Sequence, residues 1–380
     1  MTDEPDLHTT PLDALHRELG GRMVAFAGYA MPVQYEAGIM AEHLHCRAAA
    51  SLFDVSHMGQ ASLHGAGAAA CLEALVPGDI AGLKPGRQRY TLLTTEAGTI
   101  IDDLMVANLG ADRLFLVVNA SRKHVDLPHI EAHLPAGIRL QRHDDRALLA
   151  LQGPAAAGVM MRLAPDAAAL GFMGVAVVTI GAAQCLVSRS GYTGEDGFEI
   201  SVPADSADAL ARLLLAQPEV KPAGLGARDS LRLEAGLCLY GNDIDETTNV
   251  IEAGLTWTIS KRRKMEWNFR GAGPVRDALE HGTRRLRVGI LPDGRAPARG
   301  HTVITDASGA AIGEITSGGF GPSLNGPCAM GYVDRAFAAD GTAISLMVRG
   351  RSLPARVAAT PFVPHRYIRP RSATFEGATP

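Results

Sequence analysis

The pattern of apolar and polar positions divides the chain into parts of different character. In residues 51–145, and again in 146–275, short alternating apolar runs predict strands, and apolar residues three and four positions apart predict helices. Strands and helices follow one another without strict βαβ order, which favours an α+β fold over a doubly wound sheet. The predicted helices cover 11–19, 37–50, 67–75, 121–133 and 206–216, and predicted strands cover 60–64, 90–94, 103–108 and 113–118.

The C-terminal part of the chain has a different pattern of apolar and polar residues. From 284 to 357, short alternating apolar runs are separated by turn sequences such as Asp340-Gly341. Regularly spaced short strands with such turns are typical of a small β-barrel or sandwich. We therefore expect three lobes. They are a discontinuous lobe formed by 1–50 and 146–275, a second α+β lobe over 51–145, and a C-terminal β-barrel lobe over 284–380.

One uncharged stretch, residues 167–188, is as long as a membrane span. Its apolar character is weak, because Gly171, Gly174 and Gly181 interrupt it and alanine supplies much of the rest. A β-branched run, a Gly-Ala-Ala turn and a second apolar run instead predict two strands joined by a turn. No association with a membrane is expected.

Composition and charge narrow the class of protein. The 380 residues are 47% hydrophobic and 20% charged, with 36 basic and 40 acidic residues and a net charge of −4. The chain should therefore fold, and it has no excess positive charge for binding nucleic acid. The five cysteines form no Cys-x-x-Cys pair, which argues against a disulfide framework and fits a reducing compartment. Because the first residues also lack an export or transit signal, we expect a cytoplasmic protein.

Common catalytic and metal-binding motifs do not account for the sequence. His129 and His133 flank Glu131, but a zinc protease helix requires the glutamate directly after the first histidine, and no metal is expected. A phosphate-binding loop with Lys after its second glycine and a Gly-x-Ser-x-Gly elbow are both missing. The basic run 261–264 is explained either by a solvated turn or by a docking patch for an acidic protein.

Polar residues enter several strands that are otherwise apolar. Asp102 and Asp103 lie side by side in such a strand, and successive strand residues face opposite sides, so at most one points inward. A carboxylate held among apolar residues requires a cation or a polar ligand, whereas a turn would leave both acids in water. Asn119, Glu199 and Arg228 are further polar residues within apolar surroundings.

Several short sequence strings are distributed over almost the whole chain. They are FDVSHMG at 53–59, IDDL at 101–104, VNA at 118–120, LQGP at 151–154, RSGYTGEDGFE at 189–199, ARDSLRLEAGLCLYGNDI at 227–244, TSG at 316–318 and AMGYV at 329–333. Together these strings resemble the glycine-cleavage T-protein (aminomethyltransferase) family. The resemblance implies two mixed α/β folate-binding lobes around a central channel, plus a C-terminal small β-barrel lobe. It also implies a tetrahydrofolate-dependent aminomethyltransferase that releases ammonia from the aminomethyl-lipoyl H-protein and forms 5,10-methylenetetrahydrofolate.

The resemblance also implies roles for individual residues. Asp103 matches the family's catalytic aspartate, which would stabilise a cationic methylene group and orient or accept the folate NH proton. Asp102 is expected to face away and serve the turn. Glu199 matches the residue that accepts two donors of the pterin edge, and Asn119 would read the remaining donor and acceptor positions. The other expected folate-binding residues are Met58, Tyr90, Tyr192, Arg228, Tyr240 and Trp257.

The sequence allows two roles for Arg228. It could keep Asp103 ionised or clamp a carboxylate of the folate tail. Tyr29 stands where relatives generally carry tryptophan, which preserves an aromatic face. The expected partners are tetrahydrofolate and a lipoylated H-protein carrier, and a monomer is expected because a transient carrier needs only a small interface. Two alternatives remain: a folate-dependent demethylase of a small substrate, and a non-enzymatic folate-binding accessory protein.

Overall fold

A computed structural model describes residues 7–369, and its strands form three main bodies. These are a six-stranded sheet, a five-stranded sheet and a closed six-stranded barrel, with a two-stranded hairpin beside them. This mixture of helices, sheets and a closed barrel confirms the expected fold class. The strands are β1 (Arg22–Phe26), β2 (Tyr29–Gln34), β3 (Ala50–Asp54), β4 (Gly59–His64), β5 (Arg87–Thr94), β6 (Ile100–Asn108), β7 (Arg113–Val118), β8 (Arg139–Arg142), β9 (Arg146–Gln152), β10 (Val175–Ile180), β11 (Ala183–Ser188), β12 (Gly197–Pro203), β13 (Val220–Pro222), β14 (Arg285–Pro292), β15 (Val303–Thr305), β16 (Ala311–Gly321), β17 (Gly326–Asp334), β18 (Ala343–Val348) and β19 (Arg351–Ala358).

The helices are short and cover the sheets with their apolar sides. The helix expected at 206–216 shows the principle, because Leu210 and Leu214, four residues apart, are both buried against the six-stranded sheet. Among the described residues no helix is long and apolar enough to cross a membrane. The helices are α1 (Asp13–Glu18), α2 (Ile39–Ala48), α3 (Ala68–Glu73), α4 (Lys123–Glu131), α5 (Ala156–Leu163), α6 (Pro165–Ala168), α7 (Ala207–Leu215), α8 (Leu225–Glu234), α9 (Lys261–Glu266) and α10 (Ala272–His281).

The six-stranded sheet has the order β10-β11-β12-β9-β3-β13. All its neighbours are antiparallel except β13 and β3, which pair in parallel. Phe198, Ile200 and Val202 of β12 point into the core that α5 and α7 cover. Because side chains alternate along a strand, Glu199 and Ser201 point to the opposite face. The uncharged stretch 167–188 supplies the end of α6 and the hairpin β10-β11 of this sheet.

The five-stranded sheet is antiparallel throughout, in the order β5-β6-β7-β4-β8. One face packs on α3 and α4 through buried side chains such as Leu63, Leu72 and Ile130. The other face carries Met105 and Val117 towards the six-stranded sheet. Two sheets therefore meet face to face near the centre of the molecule.

The stretch between α8 and the barrel packs on the five-stranded sheet. Ile244, Val250 and Val275 share one core cluster with Leu92 of β5 and Ile100 of β6. This packing revises the expected lobe boundary, since residues from about 238 onwards contact the second lobe although we assigned 146–275 to the first. Sequence patterns report which residues are buried, but not which of two neighbouring sheets covers them.

A buried aspartate ties the barrel to the rest of the molecule. The Asp243 carboxylate accepts hydrogen bonds from Arg232 Nη1 at 2.7 Å and from Ser317 Oγ of β16 at 2.9 Å. Tyr332 of β17 donates its hydroxyl proton to the Asp243 carbonyl oxygen at 2.7 Å. The two bonds to the carboxylate are charge-assisted, and together with the tyrosine bond they fix α8 against two barrel strands.

The basic run 261–264 forms most of α9, and its arginines are already paired. Arg263 is 1% exposed and donates to the backbone carbonyl oxygen of Glu73 at 2.7 Å. Arg262 donates to Glu73 and to Asp79, each at 2.6 Å. The two arginines of the run therefore fasten α9 to the second lobe, whereas the charges of Lys261 and Lys264 are not used in this contact.

Candidate active site

A small cavity of about 20 Å³ lies between the two facing sheets. This volume has room for about one water molecule. Its wall is mostly apolar, with a few polar groups, among them Glu199, that are able to orient a ligand. The lining residues are Gln88, Met105, Ala107, Phe115, Val117, Leu148, Val175, Leu186, Ser188, Glu199 and Ser201.

Asp103 lies on the cavity-facing side of β6. It shares that side with Met105, because the two residues are two positions apart on one strand. Asn119, directly after β7, donates one amide hydrogen bond from Nδ2 to Asp103 Oδ1 at 2.7 Å and another to Asp102 Oδ1 at 2.9 Å. Since both amide donations of Asn119 go to carboxylates, only its side-chain oxygen is left for a ligand. We had expected Asn119 to contact both donor and acceptor positions of the ligand. In this arrangement its side chain can only accept a hydrogen bond from a donor on the ligand.

We had expected Asp102 to serve a solvent-exposed turn, but it does not. Its side chain is fully buried, on the opposite side of β6 from Asp103. Besides the amide bond, the backbone N–H of Asn119 donates to Asp102 Oδ2 at 3.2 Å. The prediction that the two acids face opposite sides was right, but both sides of this strand are covered by protein.

The environment of Asp103 favours its protonated form. Burial, and next to it the negative charge of Asp102, raise the pKa of Asp103 to about 7, although Asn119 and Tyr90 act in the other direction. An ordinary aspartate has a pKa of about 3.9. A carboxylate with this pKa exchanges a proton near neutral pH, which is the property of a general acid or base.

Aromatic side chains line one approach to Asp103. The rings of Tyr90 and Trp257 stack with centroids 5.4 Å apart, and Trp257 is 64% exposed. The Tyr90 hydroxyl faces Asp103, and burial raises the pKa of this tyrosine well above its ordinary value. The Tyr240 hydroxyl donates to the carbonyl oxygen of Ile100 at 3.3 Å. The exposed Trp257 ring thus offers a face on which a flat group can stack.

A second cluster of polar side chains surrounds Glu199. Ser190 donates its hydroxyl proton to Glu199 Oε2 at 2.6 Å. The charge of Glu199 acts on the Arg228 guanidinium, which lies over the Tyr192 ring with 4.8 Å between its central carbon and the ring centroid. The Tyr192 hydroxyl in turn donates to the carbonyl oxygen of Cys238. Burial lowers the pKa of Arg228, and its buried Nη1 has no hydrogen-bond partner among the described residues.

The position of Arg228 bears on its two expected roles. In the described part of the chain no ion pair joins Arg228 to Asp103, and its charged neighbour is Glu199. The unpartnered Nη1 can donate a hydrogen bond to a carboxylate or carbonyl oxygen of a ligand, because an unsatisfied buried donor is costly.

The remaining expected residues lie at the edge of this arrangement. Met58 is half-buried and packs with Val117 against a cluster that includes Leu148, which places it beside the cavity wall. Tyr29 lies further out, where the Lys123 ammonium group sits 4.5 Å from the centre of its ring. Tyr29 thus keeps an aromatic face at that position.

Two residues near the site were missed from the sequence. Gln88 is 7% exposed, lines the cavity and has no partner for its Nε2 atom among the described residues. It shares a face of β5 with Tyr90, and that two-residue spacing was the signal that could have found it. Asp126 of α4 is fully buried beside Asp102. Helical periodicity gave no sign that this helix turns a carboxyl group inward.

Comparison with known proteins places these features in one family. Residues 12–263 match the family model described as the GCVT N-terminal domain, and residues 284–364 match the glycine cleavage T-protein C-terminal barrel domain. The chain therefore belongs to the glycine cleavage T-protein family. Its function is that of the aminomethyltransferase of the glycine cleavage system, an enzyme that transfers one-carbon groups.

Individual relatives agree with this assignment over nearly their full lengths. The aminomethyltransferase of Solanum tuberosum is 47% identical over 97% of this chain and 93% of its own, and that of Gallus gallus is 48% identical over 95% and 94%. The crystal structure of the glycine cleavage system aminomethyltransferase T from Bartonella henselae is 43% identical and superposes with a TM-score of 0.91. That match covers 96% of this chain and 100% of the Bartonella chain.

The relatives contradict the expected cytoplasmic location. The aminomethyltransferases of Solanum tuberosum, Gallus gallus and Dictyostelium discoideum are all named mitochondrial, which points to the mitochondrion instead. Our expectation rested on the lack of a recognisable signal in the first residues, and a lack of that kind carries no information about the compartment.

Proposed function

We propose that the protein uses tetrahydrofolate as its co-substrate and a lipoylated H-protein as its carrier. In this reaction the folate nitrogen attacks the methylene group of the aminomethyl-lipoyl arm. The products are 5,10-methylenetetrahydrofolate, ammonia and the reduced lipoyl arm. The observation that carries the proposal is a half-buried carboxylate, Asp103, held by Asn119 on the face that lines the cavity between the sheets.

Asp103 has two tasks in this proposal. As ammonia leaves, positive charge develops on the methylene carbon, and an ionised Asp103 stabilises that charge in surroundings of low polarity. The folate NH loses its proton as the new carbon–nitrogen bond forms, and Asp103 can accept or orient that proton. Its raised pKa suits the second task, because a carboxylate with an ordinary pKa is a weak base at neutral pH.

Glu199 and Arg228 supply the recognition of the pterin in this proposal. A pterin edge presents two neighbouring N–H donors, and a carboxylate accepts both in a bidentate manner. Glu199 stands on the cavity wall with Ser190 as a supporting donor, and its charge acts on the Arg228 guanidinium. The stacked Tyr90 and Trp257 then serve the parts of the folate that extend towards solvent.

A direct assay tests the proposed reaction. Purified protein is mixed with aminomethylated, lipoylated H-protein and tetrahydrofolate, and ammonia and methylenetetrahydrofolate are measured over time. We expect both products in equal amounts, and a strong loss of rate when the folate or the lipoyl group is left out. Equal rates with and without tetrahydrofolate would contradict the proposal, as would turnover of a small methylated amine in place of the carrier.

Glu199→Gln is expected to weaken tetrahydrofolate binding about tenfold to hundredfold, because one charge-assisted hydrogen bond is worth about 1.5–3 kcal/mol. The amide keeps the shape of the side chain but offers one acceptor where the pterin edge has two donors. Binding is measured by the change in tryptophan fluorescence on titration with tetrahydrofolate. Glu219→Gln, on the surface next to Arg162, is the matched control and should bind like the unchanged protein. Unchanged affinity in Glu199→Gln would remove Glu199 from the pterin edge.

Turnover is expected to rise with pH through about 7 and then to level off. The direction of this pH dependence follows from the pKa of Asp103, which burial and Asp102 raise to about 7. Below that pH Asp103 is protonated, and the active ionised form is lost. The measurement is kcat at saturating carrier and folate across the pH range, with folate affinity determined separately at each pH. A profile that stays flat down to the ordinary aspartate range, about 3.9, would contradict the assignment.

A further inference from the structure

A fully buried acid, Asp126 of α4, lies behind the candidate catalytic carboxylate. Its side chain is 0% exposed, and neither of its two carboxyl oxygens has a hydrogen-bond donor among the described residues. The group that it contacts is another buried carboxyl group, that of Asp102. Two acids can be joined by a hydrogen bond only when one of them carries a proton.

The surroundings keep that proton on the pair. Burial and the negative charge of Asp102 raise the pKa of Asp126 far above its ordinary value, with a smaller contribution of the same sign from Asp103. Arg122, just before α4, acts in the opposite direction, but its guanidinium also pairs with Glu246 and lies over the Tyr240 ring. Two ionised carboxylates in contact without donors would be far costlier than one shared proton.

A metal ion is not the better explanation of this acidic group. Within residues 7–369, no three His, Cys, Asp or Glu side chains are arranged so that they could hold a metal ion together. Asn119 fills the space between Asp102 and Asp103 and donates to both, as a neutral amide does between two acceptors. The pair Asp102 and Asp126 therefore lacks one donor, and a proton supplies it.

The contacts form a chain that ends at the cavity. Asp126 contacts Asp102, Asp102 accepts from Asn119 Nδ2 at 2.9 Å, and the same nitrogen donates to Asp103 Oδ1 at 2.7 Å. Because Asp102 faces away from the cavity, it cannot itself meet a ligand there. What it can do is fix the plane of the Asn119 amide, and through that amide the direction of the Asp103 carboxylate.

We propose that Asp126 is a positioning residue that keeps its proton in the working enzyme and donates it to Asp102, so that Asp102 and Asn119 hold Asp103 in its reactive orientation. This inference rests on the catalytic role proposed above for Asp103. A protonated acid acts here as a fixed donor, and an amide of the same shape should replace it.

Kinetics of three variants test this role. Asp126→Asn supplies an N–H donor in place of the acid proton and should keep kcat within about threefold, whereas Asp126→Ala should lower kcat about tenfold or more with the folate KM within about threefold. The acid limb of the pH profile should move to higher pH in Asp126→Ala, since a displaced Asn119 no longer lowers the pKa of Asp103. Glu131→Ala, an exposed acid at the end of α4, should change neither quantity.

An infrared measurement tests the proton without relying on activity. Above the midpoint of the pH profile, where Asp103 is ionised, the unchanged protein should show the carbonyl stretch of a protonated carboxyl group. Asp126→Asn should lack this band, and Asp103→Asn should keep it. If Asp126→Asn is as slow as Asp126→Ala, or the band is missing from the unchanged protein, the inference is overturned. If the band behaves as expected but Asp103→Asn turns over normally, the proposed catalytic role fails and the protonated pair stands.

Discussion

Asp103→Asn is expected to lower turnover between about a hundredfold and ten-thousandfold, the range seen when a positioned acid–base group or a preorganised charge is removed. The amide has the size of the carboxylate, so the cavity keeps its shape and the Asn119 contact keeps one acceptor. What is lost is the negative charge beside the methylene carbon and the atom that can take the folate proton. The measurement is ammonia release at saturating aminomethylated carrier and tetrahydrofolate.

Folate affinity of the same variant should stay within about threefold, because Asp103 acts on the transition state more than on the bound ground state. Asp112→Asn is the matched control, since Asp112 is exposed in the turn between β6 and β7 and Asn is well tolerated at its positive φ of 54°. The control should turn over like the unchanged protein. Turnover near the normal rate in Asp103→Asn would remove Asp103 from the chemistry.

Arg47→Met is expected to lower the free energy of unfolding by about 3–5 kcal/mol, because it leaves buried carboxylates without their cation. Arg47 Nη1 donates to Glu195 at 2.9 Å and Nη2 to Glu234 at 3.0 Å, and both glutamates are fully buried. His43 also contacts Glu234 at 3.0 Å, and Ser323 of the barrel donates its backbone N–H to it at 2.8 Å. The cluster therefore joins α2, α8 and the barrel.

Unfolding by urea, followed by circular dichroism, measures this effect. The matched control is Arg212→Met, which removes an exposed arginine from its pairs with Glu18 and Asp208 and should cost about 0–1 kcal/mol. The cluster lowers the pKa of Glu234 to about 2, so its contribution is present above the ordinary carboxylate range and is lost as the pH falls through about 2. A loss in Arg47→Met no larger than in the control would show that the cluster does not hold the lobes together.

The arrangement of elements was largely predictable from the sequence, because it follows from local periodicity. The predicted helix at 206–216 and the strands at 60–64 and 113–118 lie within a residue or so of α7, β4 and β7. The lobe boundary that we placed after residue 275 instead falls inside α10, whose buried Val275 belongs to the core of the second lobe. Whether an amphipathic segment links two lobes or packs on one of them depends on tertiary contacts.

The candidate site was predictable where a residue's own neighbours revealed it. The alternation of side chains along β6 gave the opposite directions of Asp102 and Asp103, and family resemblance gave Asn119 and Glu199. The burial of Asp102 and the inward carboxyl group of Asp126 were not predictable in this way. They depend on α4 covering the back of the sheet, a contact between segments that are distant in the chain.

The pairing of β3 with β9 affects how the chain folds during translation. These partners are neighbours in the six-stranded sheet, yet the whole five-stranded sheet is encoded between them. The inserted sheet and its two helices have mainly nearby partners, so they can fold as a unit while β9 is still being translated. Until β9 has been made, β3 lacks this partner and its edge stays unpaired. Slow elongation just after β9 would therefore favour correct assembly, whereas a long pause before it would favour aggregation through that edge.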